Sequence, residues 1–208
     1  MDIKYNISKL KNSKIEELKD SVSVEEPLEM RLKYRANNKW EIQNISITMR
    51  TPGNDEDLLR GFLYNERIIE NMNEIDSIVH QGDASGDYNL QNIIEATINK
   101  TDNLEIGKLK RNFVTNSSCG VCGKTSLDSI EVIKTNKMDL SCPQIKEKII
   151  LSAPKLLMNE QSEFAKTGGI HASTLVDENG KVVATREDVG RHNALDKLIG
   201  YTITNNLL

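Results

Sequence analysis

Residues 170–199 read IHASTLVDENGKVVATREDVGRHNALDKLI. Two β-rich runs, Ile170 to Val176 and Lys181 to Thr185, flank Asp177-Glu178-Asn179-Gly180, whose residues suit a tight turn between antiparallel strands. Asp188 then stands ahead of Arg191 to Asn205, where Ala194, Leu195, Leu198 and Ile199 fall on one helical face, so Asp188 reads as that helix's N-cap. Hairpin followed by helix makes this half of the chain mixed α and β. Upstream, Cys142-Pro143 opens a helical stretch to about Phe164, which Pro154 is expected to split in two.

Further towards the N-terminus, the composition changes near Phe113 to small and polar residues, and the run carrying Ser117 to Lys124 reads as a loop. The segment from Val22 to Met49 alternates polar and apolar residues around Asn37-Asn38, as a hairpin does. Thr51-Pro52-Gly53-Asn54 is a turn, and Asn54 followed by Asp55, Glu56 and Asp57 supplies a cap and first-turn carboxylates for a helix over 55–65. Ile75 to His80 and Tyr88 to Ile98 read as further strands. Residues 1–20 mix Lys, Asn, Ser and Glu with isolated apolar residues, a pattern for a frayed helix or a flexible arm. The expected organisation is an arm over 1–20, a small α+β unit over 21–112 and a second α/β unit over 113–208.

Composition narrows the function classes. With 38% hydrophobic residues, the 208-residue chain has the makings of a real core. Its 27 basic and 31 acidic residues, net −4, are dispersed, which argues against a nucleic-acid partner. No apolar run approaches a membrane span and the N-terminus lacks a secretory h-region, so the expected setting is the cytoplasm, with no membrane partner. Three cysteines, Cys119, Cys122 and Cys142, are too few for a disulfide framework.

Chemistry concentrates in the second half. Cys119 and Cys122 form a C-x-x-C among glycines with Lys124 close behind, an arrangement that exposes thiols and favours the nucleophilic thiolate. Half of a structural zinc site is the bland alternative, with Cys142 and His171 as its only conceivable completion, and a thioredoxin-like exchanger is another. Gly123-Lys124-Thr125 imitates a phosphate-binding loop, but Ser118 stands where the first glycine belongs. A zinc deaminase fails because neither His171 nor His192 is followed two residues on by glutamate. Two glycine-bearing clusters remain: Thr167, Gly168, Gly169 and His171, and Asp188, Gly190, Arg191, His192 and Asn193. Paired glycine N–H groups and a helix start carrying Arg191 and His192 suit an anion, which points to a diphosphate-bearing ligand.

Ser118-Cys119-Gly120-Val121-Cys122-Gly123-Lys124, Phe164 through His171, and Arg186 through Gly200 together resemble the formate dehydrogenase accessory sulfurtransferase family, FdhD. Glu25-Glu26-Pro27-Leu28 and Met49 through Asn54, on to Gly61-Phe62-Leu63, resemble its amino-terminal signature. The resemblance implies a cytidine-deaminase-like sandwich without zinc, here incomplete at its C-terminus. It also implies a sulfur carrier that takes sulfane sulfur from a cysteine desulfurase and delivers it to the molybdenum or tungsten bis-pyranopterin guanine dinucleotide destined for formate dehydrogenase. By position, Cys119 matches the persulfide-carrying cysteine and Cys122 its partner. The implied partners are the desulfurase, the formate dehydrogenase catalytic subunit and a second copy of the chain in a homodimer. Two alternatives stand beside this: a non-catalytic cofactor-binding chaperone and a zinc-stabilised interaction module.

Overall fold

The computed structural model describes residues 1–99 and 145–207. Strands β1 (Asp2–Lys11) and β2 (Lys14–Ser23) form an antiparallel hairpin, and β3 (Glu26–Ala36) and β4 (Lys39–Arg50) a second one. Asn37 and Asn38 turn the second hairpin with φ of 49° and 60°, the double left-handed geometry that matches strand twist. Helix α1 (Asp55–Asn65), a 3₁₀ turn at Met72–Glu74, β5 (Ile75–Gln81) and β6 (Ile93–Ile98) follow. After the undescribed stretch come α2 (Glu147–Glu160), α3 (Ser162–Thr167), β7 (His171–Val176), β8 (Val182–Asp188) and α4 (Arg191–Thr204).

A four-stranded sheet in the order β4-β3-β6-β5 carries the core, with β3 and β6 parallel and the outer pairings antiparallel. Leu28, Met30 and Leu32 alternate inward along β3 to meet Ile94, Ala96 and Ile98 of β6, and Leu58, Leu59 and Leu63 of α1 close over them. Each fully buried leucine contributes about 2 kcal/mol. This is a mixed α+β protein.

α1 crosses α4 at backbone contact. A Cβ on Gly61 would overlap the carbonyl of Asp196, and one on Gly200 would overlap that of Asp57, so both helices need glycine where they touch. Beside the crossing, Asn65 Nδ2 donates to Asp196 Oδ1 at 2.6 Å. Burial pushes the Asp196 carboxyl up to about 7, a shift that Glu66 reinforces and the Asn65 hydrogen bond opposes. α4 packs in turn on the β7–β8 hairpin, so the N-terminal sheet and C-terminal hairpin are linked through two crossed helices. No helix among the described residues is long and apolar enough to cross a membrane.

Several expectations change. Residues 1–20 are neither frayed helix nor loose arm but most of the β1–β2 hairpin, where Ile3, Tyr5 and Ile7 share a face with Leu18 and Val22. Pro154 does not break α2; the break comes at Gln161. Only Ile149 of α2 is buried, so water can take the carbonyl that a proline leaves unpaired. Asn54 is left-handed, with φ 55°, and its side chain caps nothing. β6 starts at Ile93, not Tyr88, because Asn89 turns at φ 52° and Ser85 bridges Leu90. Leu195, expected on the buried face of α4, is 47% exposed, whereas Lys197 is 1% exposed.

Candidate functional site

The register of the β7–β8 hairpin pairs His171 with Asp188, so the two glycine-bearing clusters, seventeen or more residues apart in sequence, meet at one end of the hairpin. Gly168 closes α3 as a left-handed C-cap at φ 67°, and its N–H donates to Phe164 O at 2.7 Å. That N–H is therefore committed to the helix end rather than free for an anion. Thr167 Oγ1 donates to Glu163 O and accepts from Ser23 Oγ, each at 2.9 Å. Gly169, His171 and Arg191 are exposed.

Asp188 is not the N-cap of α4; Gly190 holds that place. At 0% exposure, Asp188 instead organises a buried cluster. Its Oδ1 accepts from Gly190 N at 2.8 Å and Asn193 Nδ2 at 3.1 Å; its Oδ2 accepts from Thr51 N at 3.1 Å and lies 2.6 Å from Lys197 Nζ. Lys197 also donates to Thr51 O at 2.8 Å, and Val189 N donates to Thr51 Oγ1 at 3.1 Å. Asn193 Nδ2 donates to Met49 O at 2.8 Å and its Oδ1 accepts from Thr48 Oγ1 at 3.2 Å. Asp188 and Asn193 thus join the end of β4 to the start of α4, while Arg191 and His192 lie outside these bonds. His192 Nδ1 is enclosed without a hydrogen-bond partner among the described residues.

Thr51 and Lys197 are the members that the sequence reading did not single out. The signal was present for Lys197: four residues after Asn193 and adjacent to Leu198, it falls inside the buried stripe, where a lysine requires an acid.

The turn that follows Thr51 divides two clefts. One, of about 680 Å³, is lined by Pro52, Gly53 and Asn54 together with Arg60, His80 and Gln91. The other, of about 340 Å³, is lined by the same turn with Ser162, Arg186 and Glu187. The turn is anchored from β4 by Arg50, 1% exposed, whose Nε and Nη2 reach the two oxygens of Asp55 at 3.1 and 3.0 Å. The same Nη2 donates to Asn92 Oδ1 at 3.1 Å. Glu187 Oε2 and Oε1 accept from the N–H groups of Glu163 and Phe164 at 3.0 and 2.9 Å, fixing the start of α3. Arg186 donates through Nε and Nη2 to Asp57 Oδ2 at 3.1 and 3.0 Å and stacks 4.1 Å from the Tyr201 ring centroid. Cys119, Cys122 and Cys142 lie outside the described residues.

The sequence matches known proteins along most of its length. It is 39% identical over 181 residues to a sulfur carrier protein FdhD of Sulfurisphaera tokodaii, covering 87% of this chain and 62% of that protein. It is 42% identical over 188 residues to the same-named protein of Picrophilus torridus, covering 90% and 66%. The chain therefore spans under two thirds of the length of these two relatives. A crystal structure from Desulfotalea psychrophila, described as a candidate formate dehydrogenase accessory protein, superposes with a TM-score of 0.59 at 19% identity, over 98% of this chain and 67% of the other, and shows the shared fold. The FdhD/NarQ family model matches residues 23–208, which takes in the β4 turn, the C-x-x-C and both glycine-bearing clusters, so the chain belongs to the FdhD/NarQ family.

Proposed function

We propose that the chain is a sulfur carrier that loads sulfur on Cys119 and delivers it to a molybdenum or tungsten bis-pyranopterin guanine dinucleotide for formate dehydrogenase. The observation that carries this reading is the 39–42% identity to proteins named sulfur carriers across the segment holding the C-x-x-C. In the loading step the Cys119 thiolate attacks the outer sulfur of a persulfide on a cysteine desulfurase. The new S–S bond forms as the donor's S–S bond breaks; the donor cysteine leaves as thiolate, and Cys119 becomes the persulfide with no net change in electron count. Cys122, three residues on in sequence, either attacks the inner sulfur of the Cys119 persulfide, forming a Cys119–Cys122 disulfide as the outer sulfur leaves as sulfide, or stabilises the persulfide.

On the receiving side, the proposed cargo carries two phosphate-linked guanosines. The exposed Arg191, with His192 next in sequence, offers positive charge to such a group at the start of α4, which carries no side-chain cap, and His171 stands at the same hairpin end. Asp188, Gly190 and Asn193 are joined by hydrogen bonds at that helix start, and Thr167, Gly168 and Gly169 lead into His171 on the paired strand. Partners on this reading are the desulfurase, the formate dehydrogenase catalytic subunit and a second copy of the chain, in the cytoplasm.

Complementation tests the role. The native chain is expected to restore formate dehydrogenase activity to a strain lacking its own carrier, and Cys119→Ala is expected to abolish that restoration. Full restoration by a Cys119→Ala/Cys122→Ala variant would overturn sulfur transfer in favour of a chaperone that only holds the cofactor.

A further inference from the structure

Asp177 closes the β7–β8 turn. Its Oδ1 accepts from the N–H groups of Asn179 at 2.9 Å and Lys181 at 2.8 Å, its C=O accepts from Gly180 N at 3.0 Å, and its own N–H donates to Lys181 O at 2.9 Å. Gly180, at φ 85°, is the left-handed residue that returns the chain to β8. Inside this turn stands Asn179-Gly180, an exposed asparagine followed by the one residue type with no side chain to shield its N–H. Gly180 also seats α2. A Cβ there would touch Ile149 Cγ1 and Cγ2 at 3.4 and 3.5 Å, and Ile149 is the buried residue of that helix.

We infer that Asn179 is a modification site, an amide that converts to aspartate or isoaspartate through the Gly180 nitrogen, held back by the Asp177 hydrogen bonds and unseating α2 once converted. In the closed turn the Gly180 proton is committed to Asp177 O. Conversion therefore proceeds from the open turn, as amide hydrogen exchange does. There the Gly180 nitrogen gives its proton to hydroxide and attacks Asn179 Cγ. The N–Cγ bond forms, the Cγ–Nδ2 bond breaks, and the leaving nitrogen takes a proton from water and departs as ammonia. Water then opens the resulting succinimide at either carbonyl, and no oxidant or reductant enters. Opening at one carbonyl gives aspartate, a third consecutive carboxylate after Asp177 and Glu178. Opening at the other gives isoaspartate, which routes the main chain through the former side chain and lengthens it between residues 179 and 180, where Ile149 rests. The His171–Asp188 pairing, at the opposite end of the hairpin, is spared.

The test incubates the full chain in mildly alkaline buffer and follows the tryptic peptide 167–181 by mass spectrometry, with isoaspartyl methyltransferase labelling to separate the two products. Conversion of Asn179 is expected to be slower in the folded chain than in the same chain in urea by about tenfold or more, the factor that one hydrogen bond to a charged group represents. Asp177→Ala is expected to raise the folded-state rate by a similar factor. Asp177→Asn keeps an acceptor oxygen, and its rate is expected to fall between the two, which keeps the inference open to test if Asp177→Ala does not fold. In the purified isoaspartate form, hydrogen exchange is expected to speed up over residues 147–160 and to stay native over 191–204. Absence of conversion in urea overturns the site. A folded chain that converts as fast as the chain in urea, or a native rate in a folded Asp177→Ala or in Asp177→Asn, overturns the hold exerted by Asp177. Native exchange over 147–160 in the isoaspartate form overturns the unseating of α2.

Discussion

Gly200 of α4 and Gly61 of α1 meet backbone to backbone: a Cβ on Gly200 would stand 2.9 Å from Gly61 N and overlap the Asp57 carbonyl. Because the obstruction is main chain on both sides, no rotamer change relieves it. Gly200→Ala is expected to push the helices apart and destabilise the protein by about 3 kcal/mol or more, at or above the upper end of ordinary overpacking. Gly169→Ala is the control. Its Cβ would have its nearest neighbour at 3.9 Å, and its melting temperature is expected to stay near native in circular dichroism.

Removing one member of the buried ion pair differs from removing both. Lys197→Met leaves Asp188 as a buried charge without its cation, and a cost of about 3–5 kcal/mol is expected in urea denaturation. A loss no larger than that of an exposed lysine would show that water reaches the site.

The Asp196 carboxyl, raised to about 7 chiefly by burial, gives the stability curve a defined sign. The folded state holds the proton more tightly than the unfolded chain, whose carboxyl titrates at the ordinary 3.8. The contribution is therefore complete at low pH and is lost as pH rises from about 4 through 7. Asp196→Asn keeps a neutral group beside Asn65; it is expected to flatten this part of the curve and to be more stable than the native chain at pH 8, measured by denaturant midpoints.

Glu187 reaches from β8 to the first N–H groups of α3. Glu187→Gln keeps the length but removes the charge and one acceptor oxygen, with an expected cost of about 1 kcal/mol, in the range of a lost helix cap. Amide exchange at Glu163 and Phe164 is expected to speed up while α1 is unaffected.

The β7–β8 hairpin and α4 were legible in the sequence because Asp177-Glu178-Asn179-Gly180 is strong turn chemistry between β-branched runs, and an apolar repeat follows it. Legibility failed where local pattern and tertiary context disagree. β1–β2 was missed because Lys4, Lys9, Lys11, Lys14 and Lys19 mask the alternation of Ile3, Tyr5 and Ile7, and its Asn12-Ser13 turn has no glycine. Asp188 looked like a cap because it precedes a helix, but its partner Thr51 is 137 residues away, a pairing that spacing alone does not display. The two glycine-bearing clusters are visible in the sequence as separate stretches; their meeting at the His171–Asp188 register, and the hydrogen bonds of Thr51 and Lys197, required the fold.

Mass spectrometry of the native chain after incubation with a cysteine desulfurase and cysteine addresses the sulfur-carrier reading most directly. The account predicts one added sulfur atom on the peptide containing Cys119, lost on reduction and absent in Cys119→Ala. An unmodified Cys119 peptide, or an equal gain in Cys119→Ala, would contradict it.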